Sequence, residues 1–388
     1  MKIGLDVAQT CTPRAGCAWY ADSLTRAMVK LAPDDHFFLY HQFGTLINAD
    51  TTAGTMIAAP NVTPTFTDIT PTEARRIWGS PQELIIKTGA PDIVHAMSFR
   101  APRVPGAKLV FTVYDVSFWA VHEYTTEENR LVCQAGLLEA LRNADGFIFI
   151  SQSSRDEFER FLPGWLELNR KPAIVTHLGP RDERISKPTQ TDHSDYWLAV
   201  GSLEPRKNYE TLLDALELYW KQSANPRPLK IAGGLGWKSS QLKERIDVLS
   251  RRGLVQYLGY VPDHELPGLY AGAEALLFPA WYEGFGLPVL EAMNQGCPVI
   301  SSDRTSLREV GGEAALYIDP ANPRQIAATM LQLEVDTVER KQLLQAGLAQ
   351  AATFSWERTA RNTLDFYSRL LNSPGHVVQK RNIADIPR

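Results

Sequence analysis

The sequence predicts an α/β protein made of two doubly wound domains, each a parallel sheet with helices on both faces. Three observations lead to this prediction. Short apolar runs alternate with segments of helical periodicity along the chain, the alternation is interrupted once near the middle, and 388 residues are enough for two domains that each bury a core. Repeated strand–helix units give parallel sheets, and right-handed crossovers limit the topology to the doubly wound kind.

In the first half of the chain, the candidate strands are short apolar runs. They lie at 1–7, 37–41, 93–97, 109–113, 146–150 and 173–176. Helical periodicity appears at 16–31, 129–143 and 153–161. A stretch with prolines and many charges, 179–195, is a predicted linker. We therefore expect a first domain over 1–185.

The alternation of strands and helices then resumes. Further candidate strands lie at 197–201, 229–232, 255–258, 275–278, 299–302 and 315–318. The helical segments between and after them lie at 209–221, 240–252 and 323–333. These elements predict a second domain over 195–354. A long helical segment, 355–371, follows it, and we expect the residues after Ser373 to fray.

Composition excludes several classes of protein. Lys and Arg number 40 and Asp and Glu 44, so the formal net charge of −4 gives no general attraction to nucleic acid. The sequence contains no run of about 18 uncharged apolar residues, so we expect no membrane-spanning helix. Its start lacks the apolar core of a signal peptide. Cys11, Cys17, Cys133 and Cys297 match no common zinc pattern. We expect free thiols in a cytoplasmic protein.

The strongest chemical signal is the turn Glu-Gly-Phe-Gly-Leu-Pro-Val-Leu-Glu at 283–291, directly after a predicted strand. Pro288 suits the first turn of a helix and Gly296 suits its end. Glu283 then lies in the loop, and Glu291 lies about one turn inside the helix. The glycines let the backbone approach a ligand, and the helix N-terminus favours an anion such as phosphate. The alternative is a turn whose two glutamates are merely solvated.

A second strand-to-helix loop contains two adjacent cations, Arg206 and Lys207, followed by Asn208 as a predicted N-cap. The planar guanidinium and the compact ammonium together suit a diphosphate. The alternative is a solvated basic turn.

A third segment leaves a strand of the first domain and contains Tyr114, Asp115 and His122. It should line the cleft opposite the first two loops. His122 can donate hydrogen bonds or move a proton, although a lone histidine is as often structural.

Other sequence patterns point away from cofactors. The sequence contains no Gly-Lys-Ser/Thr phosphate loop and no complete glycine motif for a dinucleotide. It also lacks an Asp-x-Asp pair for a metal–diphosphate clamp. We therefore expect chemistry that needs neither a metal ion nor a cofactor.

In this order and spacing, the segments resemble the retaining glycosyltransferases of family 4, which have the GT-B fold. The resemblance covers nearly the whole chain and is strongest over 197–320. Its hallmark is the pair Glu283 and Glu291, separated by seven residues. Pro-Arg-Lys-Asn at 205–208 matches the family's phosphate-binding loop, and Gly-Tyr-Val-Pro at 259–262 matches the segment that holds the nucleotide base.

The resemblance implies two Rossmann-like domains that face each other across a cleft, with the last helix, 355–372, crossing back to the first domain. It also implies roles for the matching residues. Lys207 and Arg206 would neutralise the leaving diphosphate, Glu283 would face the donor sugar, and Glu291 would accept hydrogen bonds from the ribose. The other implied donor-binding residues are Gly16, Val261, Phe285, Gly286 and Leu287.

One position departs from the family pattern. Many relatives have a histidine immediately before Asp115, where this chain has Tyr114. The resemblance therefore suggests His122 as the catalytic residue of the first domain, beside Lys207 and Glu283. Whether His122 or Tyr114 fills the position stays open.

The form of the sequence at 282–288 is similar to bacterial mannosyltransferases that use GDP-mannose. Such enzymes build exopolysaccharide or O-antigen units on a polyprenyl-diphosphate lipid, so the resemblance implies a lipid-linked oligosaccharide acceptor and no nucleic-acid partner. Segment 73–87, with basic and aromatic residues, is the candidate contact with the cytoplasmic face of the inner membrane. UDP-glucose or another donor, a small soluble acceptor, and a non-catalytic nucleotide-sugar-binding scaffold remain alternatives.

Overall fold

A computed structural model of the chain describes residues 1–11, 16–44, 46–47, 54–181 and 195–373. Most of the predicted linker, 182–194, lies outside the described residues, as does the segment after Ser373 that we expect to fray.

The first sheet, within the described residues, has seven parallel strands. They are β1 (Lys2–Asp6), β2 (His36–Tyr40), β3 (Val62–Thr65), β4 (Ile93–Ala96), β5 (Lys108–Val113), β6 (Gly146–Phe149) and β7 (Ala173–Val175). Their order is β3-β2-β1-β4-β5-β6-β7. The direction of winding reverses beside β1, which opens a crevice at the carboxyl ends of the strands. The sequence did not predict β3, because Pro64 weakens its strand pattern, and proline is tolerated there because β3 is an edge strand.

The second sheet repeats this design. Its six parallel strands, again counted over the described residues, are β8 (Trp197–Val200), β9 (Leu229–Ala232), β10 (Val255–Gly259), β11 (Leu276–Phe278), β12 (Val299–Ser302) and β13 (Leu316–Ile318). Their order is β10-β9-β8-β11-β12-β13, with the reversal beside β8. The predicted class, two doubly wound parallel sheets, is confirmed.

Helices connect the strands and cover both sheets. They are α1 (Gly16–Leu31), α2 (Pro71–Gly79), α3 (Pro81–Lys87), α4 (Ser117–Ala120), α5 (Glu127–Asn143), α6 (Gln152–Phe161), α7 (Trp165–Leu168), α8 (Tyr209–Gln222), α9 (Ser240–Arg251), α10 (Leu266–Ala271), α11 (Leu287–Asn294), α12 (Leu307–Gly311), α13 (Pro323–Val335), α14 (Thr337–Ala351) and α15 (Trp356–Asn372). The predicted helices are all present, with ends shifted by no more than two residues. For example, the Thr126 side chain accepts from the Asn129 amide at 3.2 Å, so α5 begins earlier than predicted.

The candidate membrane segment forms α2 and α3, which are separated at Ser80. Thr70 caps α2, and the Ser80 side chain caps α3 immediately before a proline. Trp78 packs against the buried core of the first domain, whereas the Ile86 side chain is 60% exposed. Among the described residues, no helix is both long enough and apolar enough to cross a membrane.

Helix α15 returns to the first domain, as predicted, and packs along α1. The Trp356 side chain is buried, its Nε1 donates to the Pro180 carbonyl at 2.8 Å, and its ring meets the Tyr20 ring edge-on at 6.1 Å. Further along, the Tyr367 hydroxyl lies 2.6 Å from His95 Nδ1. Burial lowers the pKa of His95 to about 3, so this imidazole is neutral at physiological pH. The last helix is therefore part of the core of the first domain.

Trp356→Ala is expected to lower the free energy of unfolding by about 3–5 kcal/mol, because it empties a buried site and leaves the Pro180 carbonyl without its donor. Arg361→Ala, at an exposed position of the same helix, is the matched control and should cost about 0.5 kcal/mol or less. Urea denaturation measures both. Equal stability of the two variants would show that Trp356 does not anchor α15.

Candidate functional site

The loops at the carboxyl ends of the two sheets meet at the centre of the cleft. The Ser151 hydroxyl, after β6, donates to the Gly284 carbonyl, after β11, at 2.6 Å. The Ser154 hydroxyl donates to the Tyr114 carbonyl, after β5, at 2.7 Å. A Cβ atom at Gly284 would lie 2.6 Å from the Tyr114 carbonyl oxygen, so this close approach requires glycine. The motif beginning at Glu283 therefore contacts the first domain directly.

Charged side chains from two loops of the second domain form a cluster beside this contact. Arg206 Nη1 lies 2.9 Å from Glu283 Oε1, and Lys207 Nζ contacts the same oxygen. Arg206 Nε lies 2.8 Å from Glu204 Oε2. Glu204, Lys207 and Glu283 are all less than 10% exposed. The structure thus brings together three of the residues that the sequence singled out, and it adds Glu204.

The charges in this cluster determine each other's protonation. Burial favours a raised pKa for the Glu283 carboxyl, but Arg206 and Lys207 outweigh it and hold the pKa below its usual range. Burial lowers the pKa of the Lys207 ammonium despite the attraction of Glu283, and Arg206 lowers it further. Burial also opposes the charge of Arg206, yet Glu283 and Glu204 raise the pKa of its guanidinium. Glu283 is therefore an ionised carboxylate between two cations.

The backbone of Glu283 is fixed by two residues that the sequence analysis did not identify. The Glu283 amide donates to Thr305 Oγ1 at 3.0 Å, and the Ser306 hydroxyl donates to the Glu283 carbonyl at 2.9 Å. Both residues precede α12, where Ser and Thr are common. That position is the signal that could have drawn attention to them.

The helix that follows Glu283 begins as predicted. Gly286 has a φ of 100°, and a Cβ atom there would lie 2.7 Å from the Leu307 side chain. Helix α11 begins at Leu287, has Pro288 in its first turn, and is followed by Gly296 with a φ of 70°. Glu291 consequently lies one turn inside the helix.

Asn208 is the N-cap residue of α8, as predicted, but its side chain makes no capping hydrogen bond. Asn208 has a left-handed backbone with a φ of 59°, and its Nδ2 donates to the carbonyls of Pro279 at 3.0 Å and Pro320 at 2.7 Å. The Trp281 amide also donates to the Arg206 carbonyl at 2.8 Å. The side chain of Asn208 thus ties the basic loop to neighbouring loops of the second domain.

A cavity of about 330 Å³ lies beside α11, with Glu291 on its wall. Tyr270 donates to Glu291 Oε2 at 2.9 Å, and Arg181 Nε lies 2.9 Å from Oε1. Arg181 Nη1 also donates to Asp263 Oδ1 at 3.1 Å. Burial raises the pKa of Glu291, and Arg181 acts against this rise. Val261 is half-buried and lies two residues before Asp263 in the chain, so the segment predicted to hold a base adjoins the cavity.

The remaining predicted donor-binding residues lie at the starts of two facing helices. Gly16 opens α1, and a Cβ atom there would lie 4.0 Å from the Leu287 side chain across the cleft. The Phe285 ring is buried against His177 and Phe354, with ring centres 6.2 and 6.0 Å apart. Only the backbone of Phe285 is therefore left to contact a ligand.

His122 and Tyr114 are placed differently. His122 lies in a 3₁₀ turn, its side chain is 68% exposed, and its Nδ1 lies 3.8 Å from Glu123 Oε2. Lys238 of the second domain donates to the Glu123 carbonyl at 2.7 Å and so holds this turn. The Tyr114 hydroxyl donates to the Met97 carbonyl at 2.6 Å inside the first domain. The catalytic role of His122 stays a prediction.

A second cavity, of about 220 Å³, lies between the domains next to the charge cluster. Its lining includes Tyr114, Asp115, Phe118 and Tyr124 from the first domain and Arg206 and Trp237 from the second. Asp115 contributes to the raised pKa of Arg206. The structure therefore places an acidic side chain of the first domain close to the basic loop, a role that the sequence did not suggest for Asp115.

Within the described parts of the chain, no group of three or more His, Cys, Asp and Glu side chains is placed to hold a metal ion. The four cysteines all lie in those parts and form no disulfide.

Comparison with known proteins identifies the family. The profile of the family "Glycosyl transferases group 1" matches residues 180–350. The chain is also 36% identical over 285 residues to O-antigen chain mannosyltransferase B of Escherichia coli, a match that covers 72% of this chain and 74% of that protein. The chain belongs to the group 1 glycosyl transferases.

Two further comparisons agree with this assignment. The glycosyltransferase is 27% identical over 341 residues to the serotype-specific mannosyltransferase WbdA of Escherichia coli, which covers 79% of this chain but 41% of that longer protein. The structure of Anabaena HepE in complex with UDP-glucose superposes with a TM-score of 0.70 at 19% identity, covering 95% of this chain and 99% of that one. This likeness confirms the predicted GT-B fold.

Glu283→Gln is expected to lower the free energy of unfolding by about 3–5 kcal/mol, because Arg206 and Lys207 lose their shared counter-charge in a buried place. Pyrophosphate should raise the melting temperature of this variant more than that of the wild type, because the added anion replaces the missing carboxylate. Scanning calorimetry with and without pyrophosphate measures both effects.

The control is Glu265→Gln, which changes an exposed glutamate of the same domain and should show neither effect. A Glu283→Gln variant that is as stable as the wild type, and whose melting temperature pyrophosphate does not raise further, would show that Glu283 does not balance the charges of Arg206 and Lys207.

Proposed function

We propose that this glycosyltransferase transfers mannose from GDP-mannose, with retention of anomeric configuration, to a polyprenyl-diphosphate-linked oligosaccharide in bacterial polysaccharide synthesis. The main support is the pair of cations, Arg206 and Lys207, that share one carboxylate oxygen of Glu283 where the two sheets meet. The similarity to O-antigen mannosyltransferases supports the choice of sugar and acceptor.

The basic pair would bind the leaving diphosphate. As the glycosidic bond breaks, negative charge grows on the diphosphate, and cations already fixed in place stabilise that charge without reorganising. Lys207 is buried and Arg206 largely so, which strengthens their attraction for an anion. The two positive charges can neutralise a diphosphate by themselves, so we propose that no metal ion is needed.

Glu283 would exchange partners when the donor binds. In the structure its carboxylate neutralises Arg206 and Lys207. The diphosphate supplies its own negative charge, which leaves the Glu283 carboxylate to accept hydrogen bonds from the sugar. Because its pKa is held below the usual range, Glu283 stays negative at neutral pH and stabilises positive charge near the anomeric carbon.

Glu283 and Glu291 would not act as the two carboxylates of a retaining glycosidase, which flank the bond that is broken. Glu291 faces a separate cavity, paired with Tyr270 and Arg181. We propose instead a front-side mechanism, in which an oxygen of the leaving phosphate takes the proton of the acceptor hydroxyl. The protein then needs to hold the donor and acceptor close together and to stabilise the separated charges.

The cavity beside α11 would hold the nucleoside. Glu291 can accept hydrogen bonds from both ribose hydroxyls. Asp263, on the same wall, is a carboxylate that only accepts hydrogen bonds, and Arg181 fixes one of its oxygens. The Watson–Crick edge of guanine presents an N–H and an amino group side by side, a pattern that adenine and uracil lack. Asp263 therefore supports a guanine nucleotide as the donor.

The first domain would receive the lipid-linked acceptor. The cavity of about 220 Å³ beside Arg206 combines aromatic side chains with Asp115, as a sugar-binding site requires. On the surface, Arg75, Arg76, Ile86 and Lys87 of α2 and α3 are exposed. Such a cluster attracts anionic lipid, although the inward-facing Trp78 reduces the aromatic part of this contact.

The test is transfer of labelled mannose from GDP-mannose to a synthetic polyprenyl-diphosphate-linked mannosyl oligosaccharide in the presence of a chelator. The wild type should be active, and Lys207→Ala should lower kcat by about 10²–10³-fold, because it removes positive charge at the leaving group. Lys221→Ala, an exposed lysine at the far end of α8, should behave as wild type.

Three results would contradict the proposal. The first is activity that requires added magnesium or manganese, and the second is near-normal turnover by Lys207→Ala. The third is efficient transfer from UDP-glucose with none from GDP-mannose, which would keep the charged site but replace the donor.

A further inference from the structure

Arg181 lines the cavity beside α11 and contacts both domains. Its side chain reaches two carboxylates of the second domain, with Nε 2.9 Å from Glu291 Oε1 and Nη1 3.1 Å from Asp263 Oδ1. Its guanidinium also lies over the ring of Trp19, which is on α1 of the first domain, 4.9 Å from the ring centre. One side chain thus links the two domains at the proposed nucleoside site.

We infer that Arg181 is a positioning residue for the donor: paired with Glu291, it favours the ionised form of that carboxyl and orients it to accept the ribose hydroxyls. The inference rests on the proposed function, which places the ribose at Glu291. It adds a residue outside both motifs that the sequence singled out. It also means that a residue at the domain connection sets the affinity for the nucleotide.

Glu291 needs such a partner because it is buried. The groups that face it are Arg181 from the domain connection, Tyr270 from α10 and Asp263 from the loop before α10. Asp263 is negative and opposes ionisation of Glu291, whereas Tyr270 donates one hydrogen bond. The cavity wall also includes His264, whose side chain is 82% exposed. Arg181 is therefore the only permanent cation among the described residues that line the cavity.

The charge of Glu291 matters for binding ribose. An ionised carboxylate accepts hydrogen bonds with both oxygens, whereas a protonated one turns one oxygen into a donor. Hydrogen bonds to an ionised acceptor are also about twice as strong as neutral ones. If Arg181 were absent, burial would raise the pKa of Glu291 further, and the carboxyl would be neutral over a wider range of pH.

Contacts within the protein hold Arg181 in place. The Pro180 carbonyl, in the residue before it, accepts from Trp356 Nε1 at 2.8 Å, and the guanidinium is fixed between Trp19, Asp263 and Glu291. Such preorganisation reduces the entropy cost of binding. Because Glu291 would contact ribose equally in the ground and transition states, loss of Arg181 should raise KM for the donor and change kcat by no more than about twofold.

The experiment is calorimetric titration with GDP, without metal, of wild type, Arg181→Gln and Arg181→Lys between pH 5.5 and 8.5. Arg181→Gln should bind GDP about tenfold more weakly than wild type at the acid end and approach wild type at the alkaline end, because an opposite charge nearby typically changes a carboxyl pKa by about one unit or more. Arg181→Lys keeps the charge and should keep the wild-type pH profile. Comparison at each pH cancels the titration of GDP itself.

A double variant isolates the carboxylate. In a Glu291→Gln background, Arg181→Gln should cause no additional pH dependence, because the titrating group has gone. Two results would overturn the inference: GDP binding by Arg181→Gln that is weakened by the same factor at every pH, or a pH profile of Arg181→Lys that differs from that of the wild type. Either result would indicate that Arg181 only links the two domains. If Arg181→Gln does not fold, the pH profile of Arg181→Lys is the test. Loss of GDP affinity at a different pH from the wild type would then overturn the inference.

The outcome also separates this inference from the proposed function. If wild type binds no GDP at any pH, the proposed nucleotide site is wrong. If wild type binds GDP and Arg181→Gln binds it equally well throughout, the nucleotide site stands and the role of Arg181 is wrong.

Discussion

Two cations that share one oxygen of a buried carboxylate place strict demands on the structure around them. If Glu283 or Lys207 lost its partner, the unpaired charge in this buried place would cost several kcal/mol, so the two loops that carry them must keep their relative position. Hydrogen bonds from Trp281 to the Arg206 carbonyl and from Ser306 to the Glu283 carbonyl fix that position. The doubly wound topology brings the loops together in the first place, because the carboxyl ends of the parallel strands lie along one edge.

A second, half-buried carboxylate of the second domain fixes the position of the first domain. Glu309 of the second domain accepts from the amides of Gln152 at 2.7 Å and Ser153 at 3.1 Å, at the N-terminus of α6, and it contacts His177. Burial opposes the charge of Glu309, but His177 and these amides hold its pKa below the usual range. A carboxylate of one domain therefore caps a helix of the other. With the contact at Gly284, this cap positions the loops of the first domain beside the donor motif.

Much of this fold followed from local patterns, since apolar runs and helical periodicity report burial and backbone conformation. The position of Glu291 inside a helix followed in the same way from Pro288 and Gly296. Contacts between distant parts of the chain could not be predicted from local patterns. The pairing of Arg181 with Glu291 and Asp263 joins three separate parts of the chain, and Asn208 adopts a left-handed backbone that its sequence context does not reveal. The sequence singled out Arg206, Lys207, Glu283 and Glu291. Their pairings, and the part played by Glu204, Arg181 and Asp263, required the structure.

A crystal structure of the wild-type protein with GDP, grown without metal, tests the central claim most directly. We expect the diphosphate to contact Arg206 and Lys207, Lys207 no longer to contact Glu283, and the ribose hydroxyls to lie within hydrogen-bond distance of Glu291. A nucleotide bound elsewhere in the cleft, with the contacts of Glu283 to both cations intact, would contradict that claim.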